Sequence, residues 1–411
     1  MQCPLTGISF GQRPPDNAST PSLPPLWRLG FRPFFLGGAF FAVVAIGLWI
    51  VAYMGKLPDW TPAGDWLDWH RHEMSFGFAA AIVAGFLMTA VQNWTGIPGV
   101  RGWPLAALVG LWLAARLCWL LDMPWWVIAL PELSWLPLLA ILIARSLRRT
   151  RQIHNYPILA TLALLTLADA LSLAGLATGN ADWLRNGSMS AIWLIVALMT
   201  MIGGRVIPFF TQRALNIPAR PAPTKYQLAL DYALMAAAVL LAALSAGGLA
   251  MMTPTLLFAP LFAALAIGHA IRLWQWSHRG VWGITLLWPL HLSYLWMAVA
   301  CAGLALFHVG LPLFFSFSLH ALTVGAMGGL ILAMVARVSL AHTGRSLEAP
   351  RPMAYAFILF HIGAAARVFF TPWLPSSGLI IAALCWMLAF GFFVLCHGPM
   401  LCLPRVDGEE G

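Results

Sequence analysis

The sequence is poor in charged residues. Charged side chains make up 9% of its 411 residues and hydrophobic ones 61%, whereas an ordinary soluble domain carries about 25% charged residues. A soluble fold of this size could not cover its surface with so few charges, so the composition excludes a cytosolic enzyme. It also excludes a disordered chain, which needs low hydrophobicity.

Lysine is almost absent, since Lys56 and Lys225 are the only two among 23 basic residues. The formal charge of +9 is spread along the chain rather than gathered in blocks. Enrichment of arginine on the cytoplasmic side of a membrane protein explains this charge more simply than nucleic-acid binding does. We therefore expect the lipid bilayer as a partner and no nucleic acid.

Cysteine is also scarce, with six residues in the chain. Five lie in or beside apolar segments, where cysteine behaves as a small buried hydrophobe and not as part of a disulfide framework. These five are Cys118, Cys301, Cys385, Cys396 and Cys402. A Walker loop, a GxGxxG helix start and a serine nucleophile elbow are absent from the sequence too.

Long apolar runs recur instead, each long enough to cross a bilayer as a helix. The predicted fold is an all-α polytopic membrane protein with about twelve transmembrane helices in one domain, residues 29–403. Residues 1–28 are predicted to be a mobile, Pro-rich, uncleaved cytoplasmic tail and residues 404–411 a short acidic cytoplasmic tail. The predicted spans begin near Phe34, Trp66, Trp103, Pro124, Tyr156, Arg185, Tyr226, Pro254, Trp282, Leu311, Pro352 and Ser376.

The distribution of basic residues predicts the orientation of these spans. With twelve spans, one side of the membrane collects nearly all of the Arg residues, and the other collects Lys56 and Arg185. Since cytoplasmic loops carry the excess of Lys and Arg, both termini are predicted to be cytoplasmic.

The densest set of ionisable residues opens the second predicted span, in the segment Trp69-His70-Arg71-His72-Glu73-Met74. On an ideal α-helix His70, Glu73 and Met74 share a face, whereas His72 lies about 200° around from His70. The two histidines therefore cannot both bind one metal unless the helix begins after them. Ionisable groups inside a membrane are costly and suggest function; the alternative is a polar helix end anchored at the membrane surface.

The tenth predicted span carries His320, Met327 and Met334 on one stripe. His320 is expected in the outer half, at a depth close to His72. A histidine from each of two helices at one level can clamp a haem iron from both faces, and His with Met also suits copper. The alternative is that the two methionines are adaptable core residues.

Two further histidines, His291 in the ninth span and His361 in the eleventh, lie within apolar stretches. Each is either a metal ligand or a hydrogen-bonded structural residue, and the sequence does not decide between these. Four more candidates, predicted near the cytoplasmic ends of the sixth and tenth spans, are Arg205, Arg337, His342 and Arg345. The planar guanidinium of arginine binds carboxylates or phosphates through two parallel hydrogen bonds. Haem propionates, an anionic substrate or lipid headgroups are therefore all possible ligands of these residues. The alternative is that these residues only anchor helix ends.

Six segments of the sequence form a recognisable set: Arg32–Phe35, Trp69–Gly77, Gly85–Ala90, Asn93–Gly96, Gly203–Thr211 and His342–Arg345. In their content and order they resemble the NnrS family, and the resemblance covers nearly the whole chain, from Arg28 to about Met400. It implies a twelve-span protein of the bacterial inner membrane that contains haem and copper and helps bacteria to withstand nitric oxide. Ala341 departs from the glycine usual in the family before His-Thr-Gly-Arg.

The favoured function is a b-type haem or copper protein that acts on, or senses, nitric oxide. In it His72 and His320 are metal ligands, with His70 and Glu73 supporting them or handling protons. One alternative is a transporter for a small anion or metal complex that uses Arg205 and Arg337, although no internal repeat supports it. Another is a reduced relative of haem-copper oxidase or nitric oxide reductase subunits, although the tenth span lacks a His-x-His pair. The sequence identifies neither the reaction, if there is one, nor the electron donor.

Overall fold

The computed structural model describes residues 23–218, 222–249, 251–312 and 315–409. Within these residues there is no strand, and the chain forms twelve long helices. Most of the predicted N-terminal tail, residues 1–22, lies outside the described residues. The twelve helices are α1 (Phe31–Tyr53), α2 (Trp66–Thr95), α3 (Trp103–Leu120), α4 (Trp125–Arg149), α5 (Tyr156–Thr178), α6 (Ala181–Leu215), α7 (Lys225–Ala246), α8 (Ala259–Trp276), α9 (Trp288–His308), α10 (Phe315–His342), α11 (Arg351–Phe370) and α12 (Pro375–Cys402).

Eleven of the helices are long and apolar enough to cross a membrane; α8, with 18 residues, is the exception. The predicted all-α polytopic membrane fold is therefore confirmed. The largest difference from the predicted boundaries is at α9, which begins at Trp288 and not near Trp282. A 3₁₀ turn, Arg279–Gly283, occupies the intervening chain, and Pro289 suits the first turn of the helix that follows.

Local sequence signals fix many of the helix ends. The Asp65 carboxylate caps α2 by accepting a hydrogen bond from the Asp68 backbone N–H, at 2.6 Å. Thr224 and Gln227 form a capping box at the start of α7. At the other ends of α2 and α5, Gly96 and Gly179 adopt the left-handed conformation that commonly terminates a helix.

An even number of helical passes brings both ends of the chain to the same side of the bundle. We call this the terminal side and the opposite one the distal side. Backbone hydrogen bonds hold both ends of the chain against loops on the terminal side. The Gly102 N–H donates to the Trp27 carbonyl oxygen (2.7 Å), and the Val406 N–H donates to the Thr343 carbonyl oxygen (3.2 Å). Which side faces the cytoplasm stays a prediction.

Helices α2 and α10 occupy the centre of the bundle. In their most apolar stretches 78% and 72% of the residues are buried, against 28% for the peripheral α7. Both central helices change from α- to π-helical geometry in their distal halves, at Glu73–Ala79 and Ala321–Gly328. Helix α11 ends in a third π-helical segment, Ala366–Phe370. Such segments are rare and frequently mark functional sites, so they direct attention to the distal half.

Candidate cofactor cavity and buried charge network

A cavity of about 680 Å³ lies in the distal half of the bundle, among α1, α2, α6, α10, α11 and α12. This volume falls within the range of about 300–1,000 Å³ typical of ligand pockets. All three π-helical segments contribute to its wall, through Met74, Met327 and Arg367 among others. The departures from regular helix thus converge on one place. We call it the distal cavity.

His320 lines this cavity in an arrangement suited to a metal ligand. Its Nδ1 lies 2.6 Å from the Ser316 carbonyl oxygen, which can only accept, so Nδ1 carries the proton and donates it. Nε2 is then left with its lone pair, which accepts a hydrogen bond from the Arg367 guanidinium at 3.3 Å. Metal-binding histidines typically donate their second N–H to a backbone carbonyl or carboxylate in this way.

His70 lines the same cavity from α2. Its ring stacks on Trp49, with the ring centroids 4.7 Å apart and the planes 15° from parallel. Its Nδ1 is buried and has no hydrogen-bond partner among the described residues. A buried polar atom without a partner is uncommon in a folded protein, so this ring can still take a ligand.

Three arginines, Arg71, Arg185 and Arg367, also line the distal cavity, and none of the described lining residues is a carboxylate. Asp68 pairs with Arg71 at 2.9 Å and Asp182 with Arg185 at 2.7 Å. The Nη1 atom of Arg367 is buried without a hydrogen-bond partner in the described part of the chain. The cavity therefore favours a ligand that carries carboxylates or other anionic groups.

His72 faces away from the distal cavity into a separate buried charge network. Its Nδ1 lies 3.0 Å from Glu73 Oε1 and its Nε2 lies 3.1 Å from Asp169 Oδ1. The ring also stacks on Trp119 at 4.0 Å. Since both ring nitrogens are engaged by carboxylates, His72 has no lone pair directed at an open site.

Arg116 of α3 connects the rest of this charge network. It donates to Glu73 Oε1 at 2.9 Å and to both carboxylate oxygens of Glu132. The Trp119 indole also donates to Glu132, at 2.9 Å. His72, Glu73 and Glu132 lie close enough together to hold a metal ion, but the Arg116 guanidinium already supplies positive charge to both carboxylates. The network thus ties α2, α3, α4 and α5 together.

Sequence reasoning did not single out Glu132, although a usable signal was present. A glutamate inside an apolar span is costly unless it is paired, and it should count as a candidate for that reason alone. Arg116 and Asp169 were recognisable as intramembrane charges, but the sequence could not show which groups they contact.

The structure does not bring the predicted pair, His72 and His320, to one site. His70 shares the distal cavity with His320 instead. The predicted common face of His70, Glu73 and Met74 also divides, because His70 and Met74 line the cavity whereas Glu73 turns to Arg116. The physical reason is the π-helical segment that begins at Glu73: it holds more residues per turn than the ideal α-helix from which the faces were predicted.

A smaller cavity of about 300 Å³ lies nearer the terminal side, between α2, α6 and α10. We call it the terminal cavity. Arg205 and His342 line it, and the Arg337 guanidinium lies 4.2 Å from the centre of the adjacent Phe210 ring. Arg345 is not part of its wall and donates to the Thr343 carbonyl oxygen at 3.4 Å.

The remaining candidates, His291 and His361, line neither cavity. The Nδ1 of His291 lies 3.1 Å from the Leu287 carbonyl oxygen and its Nε2 lies 3.3 Å from Thr211 Oγ1. His361 Nδ1 accepts a hydrogen bond from the Trp296 indole at 3.3 Å. These contacts are those of structural residues; a role for either in metal binding stays a prediction.

Comparison with known families gives one result. A family model described as NnrS protein matches residues 25–405, and no curated protein matches the chain. The chain therefore belongs to the NnrS family, whose members are membrane proteins of the nitric oxide response and are generally metal-associated.

Proposed function

We propose that this NnrS-family protein serves the nitric oxide response by holding a b-type haem in the distal cavity, with His70 and His320 as the iron ligands. The observation that carries the proposal is the tautomer of His320. Its Nδ1–H is committed to the Ser316 carbonyl oxygen, so Nε2 carries the lone pair within the cavity that His70 also lines. To bind iron, Nε2 would have to give up only the hydrogen bond from Arg367 at 3.3 Å.

The distal cavity suits haem in three respects. Two histidines from different helices offer the nitrogen ligands that haem iron takes in many proteins. Trp49, Phe78 and Trp386 give the wall flat apolar surfaces. The buried Nη1 of Arg367, which has no partner among the described residues, is free to bind a propionate carboxylate.

When bound, haem would supply an iron that can exchange one electron at a time, which is the chemistry that conversion or sensing of nitric oxide requires. The residues of the chain orient and protect this group. The Ser316 carbonyl holds the His320 ring, Trp49 holds the His70 ring, and the apolar walls exclude bulk water. Nitric oxide is soluble in lipid, so it can reach the cavity without a polar channel.

Copper fits the same cavity by a different donor set. Met74 and Met327 lie in the wall beside the two histidines, and thioether with imidazole is a combination that suits Cu(I). The cluster of His72, Glu73 and Glu132 fits copper less well, because Arg116 already compensates its carboxylates. We therefore assign copper to the distal cavity as the alternative to haem, not as a second centre beside it.

The test is cofactor analysis of the purified protein by haemochrome assay, metal analysis and absorption spectroscopy. We expect one haem per chain in the wild type, and less than a tenth of that in His70→Ala and in His320→Ala. His278→Ala is the matched control and should keep full haem, because it removes an exposed histidine outside both cavities. Full haem in both cavity variants would overturn the ligand assignment. Copper in place of haem would favour the His–Met site.

Transport of a small anion is a second candidate, favoured by one observation. The distal and terminal cavities follow one another along the same three helices, α2, α6 and α10. A transporter would move nitrite or a related anion across proteoliposomes and would do so without stoichiometric haem. A flux that persists in His70→Ala and His320→Ala would support transport over the cofactor role.

A further inference from the structure

The terminal cavity is not used by the proposed haem site, and it is built differently. It is smaller, about 300 Å³, and its wall comes from the terminal halves of α2, α6 and α10. Its apolar wall combines four aromatic residues, Phe86, Trp94, Phe209 and Phe210, with Met334 and the aliphatic residues Ala90, Ile202, Val206 and Val338. Aromatic faces favour a flat ring between them.

The polar lining residues of the terminal cavity are Thr89, Asn93, Arg205 and His342. Each can donate a hydrogen bond, but the Thr89 hydroxyl already donates to the Gly85 carbonyl oxygen. Asn93 and Arg205 lie on α2 and α6, whereas His342 lies on α10. The described wall contains no carboxylate. A ligand with acceptor oxygens is thus favoured over a cation.

Arg205 is held in place by a chain of side-chain contacts. Its Nη1 donates to Asn155 Oδ1 at 3.0 Å, and Asn155 Nδ2 in turn donates to Gln152 Oε1 at 2.9 Å. Gln152 Nε2 completes the chain by donating to the Trp94 carbonyl oxygen. This series of hydrogen bonds connects Arg205 on one side of the cavity to the Trp94 backbone on the other. The Arg205 guanidinium therefore has a fixed position in the cavity wall.

We propose that the terminal cavity binds the ring of a lipid-soluble quinone. The two ring oxygens lie on opposite sides of a planar ring and accept hydrogen bonds, which matches donors on α2 and α6 with His342 on α10. Phe209 lines the cavity and is 54% exposed, so we place the route from the cavity to the surrounding lipid beside this side chain. The isoprenoid tail leaves the cavity there while the ring stays inside.

An anionic phospholipid headgroup fits the cavity less well. A phosphate recruits several cationic groups at a solvated surface, whereas Arg205 is the only arginine among the described lining residues. Arg337 is nearby, but its guanidinium lies over the Phe210 ring. The enclosed volume also suits a single ring more closely than a headgroup with its glycerol.

The experiment measures binding of a radiolabelled short-chain benzoquinone to the protein in phosphatidylcholine nanodiscs. We expect saturable binding of one quinone per chain. Ala90→Phe, which fills the cavity, should weaken binding at least tenfold. Asn93→Ala, which removes an exposed donor without adding bulk, provides a second variant that should also weaken it. His361→Ala is the control and should bind as the wild type does.

Two results would overturn the proposal. One is non-saturable partitioning, or equal affinity in both cavity variants and the wild type. The other is displacement of the quinone by phosphatidylglycerol added to the nanodiscs, which would assign the cavity to a phospholipid headgroup. The proposal does not depend on the contents of the distal cavity, so loss or retention of haem in the cofactor test leaves it standing.

Discussion

At the scale of single residues, Arg116 is the residue on which most of the buried charge depends. Its guanidinium is 2% exposed and contacts Glu73 and Glu132, which are both fully buried. Taking ions out of water is costly, and here that cost is offset only because every partner is close. The network therefore contributes a defined arrangement of α2, α3 and α4 more than it contributes net stability.

Arg116→Met should be strongly destabilising because it leaves two buried carboxylates without their cation. A cost of about 3–5 kcal/mol is expected for breaking a buried pair in this way. Arg185→Met is the matched control: it breaks the exposed pair with Asp182, for which about 0–1 kcal/mol is expected. Reversible unfolding in detergent measures both. Equal stability of the two variants would show that the network is not a paired unit.

The sequence predicted which residues carry the chemistry better than it predicted their neighbours. His70, His72, Glu73 and His320 were all recognisable as ionisable groups in apolar spans. Their grouping was not. His72 was paired with His320 by depth in the membrane, which does not show the direction in which a side chain faces, so the exchange of His70 for His72 required coordinates. The common face of His70, Glu73 and Met74 was predicted with 3.6 residues per turn, whereas Glu73–Ala79 is π-helical, and no simple residue pattern marks such a segment.

At the scale of helices, the register of α10 is predicted to position His320. Its π-helical segment separates His320 from the regular helix Gly329–His342. Deleting Thr323 removes the extra residue that the segment holds, so α-helical geometry should return with His320 on nearly the same face. Deleting Leu332 from the regular helix instead rotates His320 by about 100° relative to the rest of α10.

The Leu332 deletion should therefore lose haem, because it turns His320 out of the cavity. The Thr323 deletion is the matched control: it removes one residue as well but should keep its fold and most of its haem. Circular dichroism and the haemochrome assay together check the prediction. A Leu332 deletion that keeps both its fold and its haem would show that the register of α10 does not position the ligand.

Glycines allow α5 and α6 to approach closely. A Cβ added at Gly187 would lie against the Ala168 carbonyl oxygen and 2.7 Å from the Ser172 backbone nitrogen, and neither group can move freely. Gly187→Ala should therefore destabilise the protein by about 1–3 kcal/mol, as overpacking does.

Gly110→Ala provides the contrast on α3, because a Cβ there meets nothing within 4 Å. Alanine is favoured over glycine within a helix by about 1 kcal/mol, so this variant should be neutral or slightly stabilised. Thermal unfolding of the two variants in the same detergent measures the difference. A Gly187→Ala variant as stable as Gly110→Ala would contradict the close approach.

At the scale of the whole molecule, the basic residues predict an orientation for the bundle. The terminal side carries the Arg-rich segment of α4, Arg145–Arg149, together with Arg213 and Arg405. If this side is cytoplasmic, a fluorescent reporter fused after Gly411 should fluoresce in cells, and alkaline phosphatase fused there should be inactive. The reverse pattern would contradict the predicted orientation but not the fold.

The number of helices and their approximate starts were predictable because apolar length and Pro or Gly at the junctions are local signals. The arrangement around the two cavities was not predictable in the same way. It depends on α2, α6 and α10 meeting in the bundle, although their residues are far apart in the sequence. Asn155 and Arg205, for example, are separated by 50 residues and meet only through this packing.

The central claim is that one metal centre lies between His70 and His320 in the distal cavity. The most direct test is to locate the iron in the haem-loaded protein, by anomalous scattering at the iron edge or in a cryo-EM map. The account predicts one iron site bound by these two imidazoles, with Arg367 moved from His320 to a propionate. Iron found at His72 and Glu132, or no iron within the distal cavity of a haem-containing protein, would contradict it.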